Sequence, residues 1–173
     1  MKKLLLILLY FPQIILGQQT YVPDDNFEAY LEAYNMGNGI ANDDSVTTSN
    51  IVGITSLNIP IQAISDLTGI EDFSALVTLY CYSNQLSSLD VSNNTALTYL
   101  DCRSNQLTSL DVSNNTALTY LDCPSNQLTS LDVSQNTALT DLYCYSNQLT
   151  SLDVSNNTAL TGLSCSSNQL TSL

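Results

Sequence analysis

Five cysteines, Cys81, Cys102, Cys123, Cys144 and Cys165, stand 21 residues apart without exception. Thiols can pair, bind soft metals or attack electrophiles, but this spacing suits none of those roles. No CxxC-type zinc motif is present. In-register strands send such side chains out in parallel, which does not match the turned geometry of a disulfide. The cysteines are expected to be small apolar filler. Four aspartates, Asp90, Asp111, Asp132 and Asp153, recur at the same interval. A carboxylate row could hold Ca²⁺, which needs several oxygens per ion. The expected role is plainer, each aspartate closing a local turn by accepting backbone hydrogen bonds. Asp101 and Asp122 form a further pair, open in principle to two-carboxylate hydrolysis. The chain has no histidine, and its basic residues are Lys2, Lys3 and Arg103. Most acid–base and nucleophilic constellations therefore cannot be assembled, and neither catalysis nor a cofactor is expected.

The element that must position these groups is the stretch Leu97 to Ala117, LTYLDCRSNQLTSLDVSNNTA, which recurs from Leu76, Leu118, Leu139 and Leu160. A fixed period of this length predicts a solenoid with one coil per repeat. Leu100 and Cys102 are two apart, as one face of a strand requires, and Tyr99, Asp101 and Arg103 alternate with them. Ser104 and Asn105 signal a turn. The polar return to Thr116 favours turns over helix, because Ser, Thr and Asn side chains compete for backbone hydrogen bonds. No coil buries enough by itself, so neighbours must stack. Asn84, Asn105, Asn126, Asn147 and Asn168 are expected to form a structural ladder that satisfies buried backbone groups where each strand turns.

The pattern Leu97-x-x-Leu100-x-Cys102-x-x-Asn105-x-Leu107 resembles the leucine-rich repeat, with cysteine replacing the third leucine in all five copies. The LDVSxNxA half is similar to the short repeats of secreted Bacteroidetes (flavobacterial) proteins. So is the opening Val22-Pro23-Asp24 with Asn26-Phe27-Glu28. The wording ITSLNIPIQAISDLTGIEDFSAL resembles the 22-residue repeats of internalin-type proteins. These resemblances imply an α/β leucine-rich-repeat solenoid. It would be a right-handed horseshoe with short parallel strands on the concave side, a turn-rich convex side and an N-terminal helical cap.

Residues 1–17, MKKLLLILLYFPQIILG, read as a secretory signal peptide, which places the mature protein outside the cell or on its surface. Residues 18–50 read as the cap. Asp24 is its N-cap, Phe27, Tyr30, Leu31 and Tyr34 are its apolar face, and Gly37-Asn38-Gly39 is its stop. Asn42 to Ser45 could hold Ca²⁺, but its spacing does not fit an EF-hand loop, and a solvated acidic turn is expected. Residues 51–173 form the solenoid, with one divergent coil over 51–75 and 21-residue repeats from 76. The last coil stops short at Leu173, so further repeats or a cap are expected beyond it. The net charge of −13 makes nucleic acid and anionic membrane surfaces poor partners. No membrane insertion is expected.

Outside three strand positions the copies are nearly identical. Those positions read Thr78, Tyr99, Tyr120, Asp141, Gly162; then Tyr80, Asp101, Asp122, Tyr143, Ser164; then Tyr82, Arg103, Pro124, Tyr145, Ser166. All three point away from the leucines, onto the concave face. The candidate ligand surface is Tyr80, Tyr82, Tyr99, Asp101, Arg103, Tyr120, Asp122, Asp141, Tyr143 and Tyr145, offered to solvent as an acidic, tyrosine-rich patch for a protein or glycan. The competing reading is a structural spacer or adhesin stalk with no special face. A regular Thr108, Thr129, Thr150, Thr171 row also raises ice binding, but Ser87 breaks it in the first copy.

Overall fold

The computed structural model describes residues 17–171; the expected signal peptide lies, Gly17 apart, outside them. The chain runs β1 (Gln19–Tyr21), α1 (Asp25–Ala33), β2 (Ser45–Thr47), α2 (Thr48–Ile51) and β3 (Ser56–Asn58). A 3-10 turn at Ile70–Asp72 follows, then β4 (Thr78–Tyr80), β5 (Tyr99–Asp101), β6 (Tyr120–Asp122), β7 (Asp141–Tyr143) and β8 (Gly162–Ser164). Strands β3 to β8 make one parallel sheet in sequence order. Leu57, Leu79, Leu100, Leu121, Leu142 and Leu163 pair successively along it. The first step is 22 residues and the rest are 21, so the divergent coil joins the array in register.

One core runs the length of the stack. Leucines such as Leu76, Leu86, Leu97, Leu107, Leu118 and Leu128 are fully buried, as are Cys81, Cys102, Cys123 and Cys144. Each turn after a strand is held by an asparagine. Asn105 Nδ2 donates to Cys81 O at 3.1 Å and to Cys102 O at 3.0 Å, while its Oδ1 accepts the Leu86 N–H at 3.1 Å. One amide thus joins two coils. The serine before it, Ser83, Ser104, Ser125, Ser146 or Ser167, sits in the left-handed region with φ of 54–56°. A second column, Asn94, Asn115, Asn136 and Asn157, is buried on the return path. There Asn115 Nδ2 donates to Val91 O at 3.0 Å and Asn94 O at 2.9 Å. The Oδ1 atoms of this column accept nothing.

At the N-terminal end, Asp24 caps α1 by accepting the N–H groups of Asn26 and Phe27, each at 3.0 Å. Its other oxygen accepts from Ser65 N and Oγ at 2.8 Å and from Asp66 N at 3.2 Å, which ties the helix start to the first coil. Burial opposes ionisation of this carboxyl, but the donors from Ser65, Phe27 and Asp66 outweigh it and hold its pKa below the usual value. Phe27 and Leu31 enter the common core, and Phe27 stacks on Phe73 with centroids 6.3 Å apart. The helix ends at Ala33, earlier than its glycines suggest, because Asn35 takes φ 59° and Met36 N donates back to Leu31 O at 2.8 Å. Tyr34, read as part of the buried stripe, is 62% exposed and stacks on Tyr30 instead.

Candidate functional site

The three variable strand positions do lie together on the outer face of the sheet. Parallel in-register pairing sets Tyr99 beside Tyr120, Asp101 beside Asp122, and Tyr120 beside Asp141. Strand spacing of about 4.8 Å brings aromatic rings on adjacent strands into stacking range. The result is a continuous row. Tyr80 lies 4.9 Å from Tyr99, Tyr99 lies 4.3 Å from Tyr120 with planes 4° apart, and Tyr143 meets Tyr120 edge-on at 5.6 Å. Tyr99 and Tyr120 therefore each have an aromatic neighbour on both sides. What they offer outward is ring edge and hydroxyl, not open ring face. The four rings are half-buried, so the expectation of tyrosines standing free in solvent is corrected: they shield one another.

Asp101 and Asp122 depart further from the expected open acidic patch. Alternation puts them on this face, yet they are only 2% and 4% exposed. Arg103 bridges them, Nη1 to Asp122 at 3.0 Å and Nη2 to Asp101 at 3.5 Å, and its guanidinium lies 4.6 Å from the Tyr82 ring centre. The cation that two adjacent carboxylates demand is supplied by the chain itself. One cation does not neutralise two buried acids, however. Burial, reinforced by the Asp122 charge, pushes Asp101 up to about 6 despite its contacts with Arg103. Burial also raises Asp122, with Arg103 pulling the other way. Tyr82 is half-buried, Tyr145 is 38% exposed, and Asp141 is half-buried with neutral hydroxyl partners.

The other candidate rows make local contacts within the stack. Asp90, Asp111, Asp132 and Asp153 are exposed, and each accepts the N–H of the serine two residues on at 2.8–2.9 Å. Those serine donors hold all four below the usual carboxylate range. The five cysteines are free thiols. Burial drives the pKa of Cys81, Cys102 and Cys123 far up and that of Cys144 to about 12, so none is a nucleophile at neutral pH. In the acidic loop, Asp44 lies with Asp25 and Glu28 in a carboxylate group whose oxygens fall within 4.8 Å. Glu28 is buried there and accepts the Asp43 and Asp44 N–H groups at 3.1 and 3.3 Å, which closes the loop onto α1. Among the described residues no helix is long and apolar enough to cross a membrane.

Known proteins share this architecture. Internalin J of Listeria monocytogenes serotype 4b is 46% identical over 75 residues, 43% of this chain and 8% of that protein. The solved functional domain of InlJ, described as including a cysteine ladder, superposes with a TM-score of 0.72 at 40% identity over 91% of this chain and 40% of that one. An internalin (inlF) from L. monocytogenes gives 0.68 at 25% identity, covering 72% and 38%. The LRIM1/APL1C complex gives 0.65 at 25% identity, covering 72% and 26%. The chain thus spans less than half the length of each of these proteins. No family model matches it.

Proposed function

We propose that this chain, a leucine-rich-repeat solenoid, is an exported protein-interaction module that grips its partner with the outer face of its parallel sheet. The observation that carries the reading is the tyrosine row. Side chains vary from coil to coil chiefly on this face, with Val77, Ser87 and Gln135 the exceptions elsewhere, and on the face they assemble into a row of four rings. Tyrosine gives large contact area at low entropic cost and suits protein interfaces. A glycan bound by stacking sugar rings on aromatic faces would find the faces of Tyr99 and Tyr120 already taken. That favours a protein partner, which can use ring edges and hydroxyls. The presence of LRIM1/APL1C, a complex, among the structural relatives supports the same class of role. The leader-like residues 1–17 support export. Asp101 and Asp122, the one pair suited to two-carboxylate chemistry, are buried and bridged by Arg103, which supports a non-enzymatic role.

The test is selection of a displayed library of random linear peptides on the chain, alongside a glycan array. Peptide binders that are lost with the Tyr99→Ser/Tyr120→Ser/Tyr143→Ser variant, with far-UV spectrum and melting retained, are the expected result. Glycan binding alone, or peptides indifferent to the triple change, would overturn it. The near-identity of the coils outside the face is what a passive spacer would also show. A spacer predicts no selected binder on either screen.

A further inference from the structure

All five cysteines are free thiols, so no disulfide ties one coil to the next. The outer face holds another pair of groups that can be joined. Tyr99 and Tyr120 are the same residue at the same position of adjacent parallel strands, paired in register. Register lays like atoms over like atoms, and the two rings stand 4.3 Å apart with planes 4° from parallel. Each carbon ortho to a phenol oxygen is thereby brought near its counterpart on the other ring. The remaining neighbours in the row lack this alignment. Tyr80 and Tyr143 come from a different strand position and meet the pair tilted by 45° and 65°, at 4.9 and 5.6 Å. Tyr99 and Tyr120 are half-buried, so the sheet holds the rings while their edges and hydroxyls stay in reach of solvent.

We propose that Tyr99 and Tyr120 are an oxidative modification site, at which a one-electron oxidant of the peroxide-activated haem class couples them into an intramolecular dityrosine that ties two coils together. The proposal goes beyond the interaction reading and stands on the ring geometry alone. Each phenol gives one electron to the oxidant and one proton to water, becoming a phenoxyl radical with spin on its ortho carbons. Two such carbons form one C–C bond. The hydrogen each of them carried then passes through solvent to its own ring's oxygen, which restores both phenols. The pair loses two electrons and two protons in all, and one hydrogen peroxide takes them up to become two waters. Holding the rings side by side makes the coupling unimolecular, which favours it over encounters between tyrosines that must first diffuse together.

The composition of the chain supplies the assay. Apart from Lys2 and Lys3, Arg103 is the one basic residue, and it lies between the two tyrosines, so trypsin splits the denatured chain there. The full chain is treated with a haem peroxidase and hydrogen peroxide, and its monomer fraction is unfolded, digested and weighed. A Tyr99–Tyr120 bond holds the two fragments together, two hydrogens lighter than their sum. A Tyr80–Tyr99 or Tyr120–Tyr143 bond leaves them apart. Joined fragments with dityrosine fluorescence are the expected result. Tyr99→Phe keeps the stacked ring but lacks the phenol, and is expected to abolish the joining, whereas Tyr143→Phe is expected to leave it unchanged. Tyr21 and Tyr34, 61% and 62% exposed, link separate molecules and so report that the oxidant has acted. Monomer fragments that separate while those dimers form overturn the proposal. Joining that survives Tyr99→Phe also overturns it, because the bond then lies on other tyrosines.

Discussion

Asp101→Asn is expected to make the protein more stable at neutral pH, although it removes half of an ion-paired carboxylate couple. Asp101 titrates at about 6 in the folded chain against an ordinary value of 3.8. A carboxyl with a raised folded pKa binds its proton more tightly folded than unfolded, so the folded state is favoured below the unfolded value. That advantage is lost as pH rises through the folded pKa, here between about pH 4 and pH 6. At about 1.4 kcal/mol per pKa step, ionised Asp101 costs up to ~3 kcal/mol, and ~2 is the better expectation because Arg103 is 42% exposed and brings solvent to the pair. The asparagine keeps an oxygen for the Arg103 N–H that Asp101 Oδ1 accepts at 3.3 Å, and it leaves Arg103 to Asp122 alone. Urea unfolding of both proteins from pH 4 to pH 7.5 measures the difference directly. The variant should be more stable by about 1–3 kcal/mol at pH 7, with the gap closing toward pH 4. A variant less stable than the native chain at pH 7, or a gap that ignores pH, would refute the reasoning and show that the ion pair outweighs its desolvation.

Asn105→Ala leaves Leu86 N without its acceptor in the buried turn, while Cys81 O and Cys102 O keep Asn84 and Asn126 as donors, so it should cost about 1–3 kcal/mol by urea unfolding; a loss below about 0.5 kcal/mol would mean that water replaces the amide. Gly69→Ala puts a Cβ 2.7 Å from Tyr21 O and 2.9 Å from Val22 Cγ2 at φ 101°, so the melting temperature should fall. An unchanged melting temperature there would show that β1 shifts freely. Cys81, Cys102 and Cys123, fully buried, should resist a thiol reagent such as DTNB in the native protein and react fully in guanidinium. Fast native labelling of these three would contradict the stacked core.

Much of the scaffold was legible because a buried position repeats its residue. Leu100, Cys102 and Asn105 keep their identities in every copy; strand alternation assigns the first two inward, and the turn's need to satisfy buried backbone groups assigns Asn105. The 22-residue first step was visible in the same way, from Leu57 and Ile59 answering Leu79 and Cys81. The second asparagine column was not. Asn94 and its equivalents sit among Ser, Asn and Thr, where no alternation distinguishes inward from outward. A repeat-wide constancy equal to that of Asn105 was the available signal, and even Gln135 leaves Asn136 unchanged. The burial of Asp101 and Asp122 was out of reach for another reason. Alternation gives the face a side chain leaves from, but exposure is set by neighbours one coil away, here Arg103 and the stacked rings.

That dependence on neighbours sets which changes on this face the fold tolerates. The leucines, the cysteines and both asparagine columns close their contacts within the stack, so their energy is indifferent to which residue stands outward. The outward residues couple only sideways, ring to ring and Arg103 to two acids. Replacing Tyr99 therefore disturbs Tyr80 and Tyr120, replacing Arg103 strands two buried carboxylates, and a side chain at Gly162 would push the Asp141 carboxylate off the Tyr143 hydroxyl. Such coupling makes a rigid platform, and on this sheet that platform is the Tyr80–Tyr143 row.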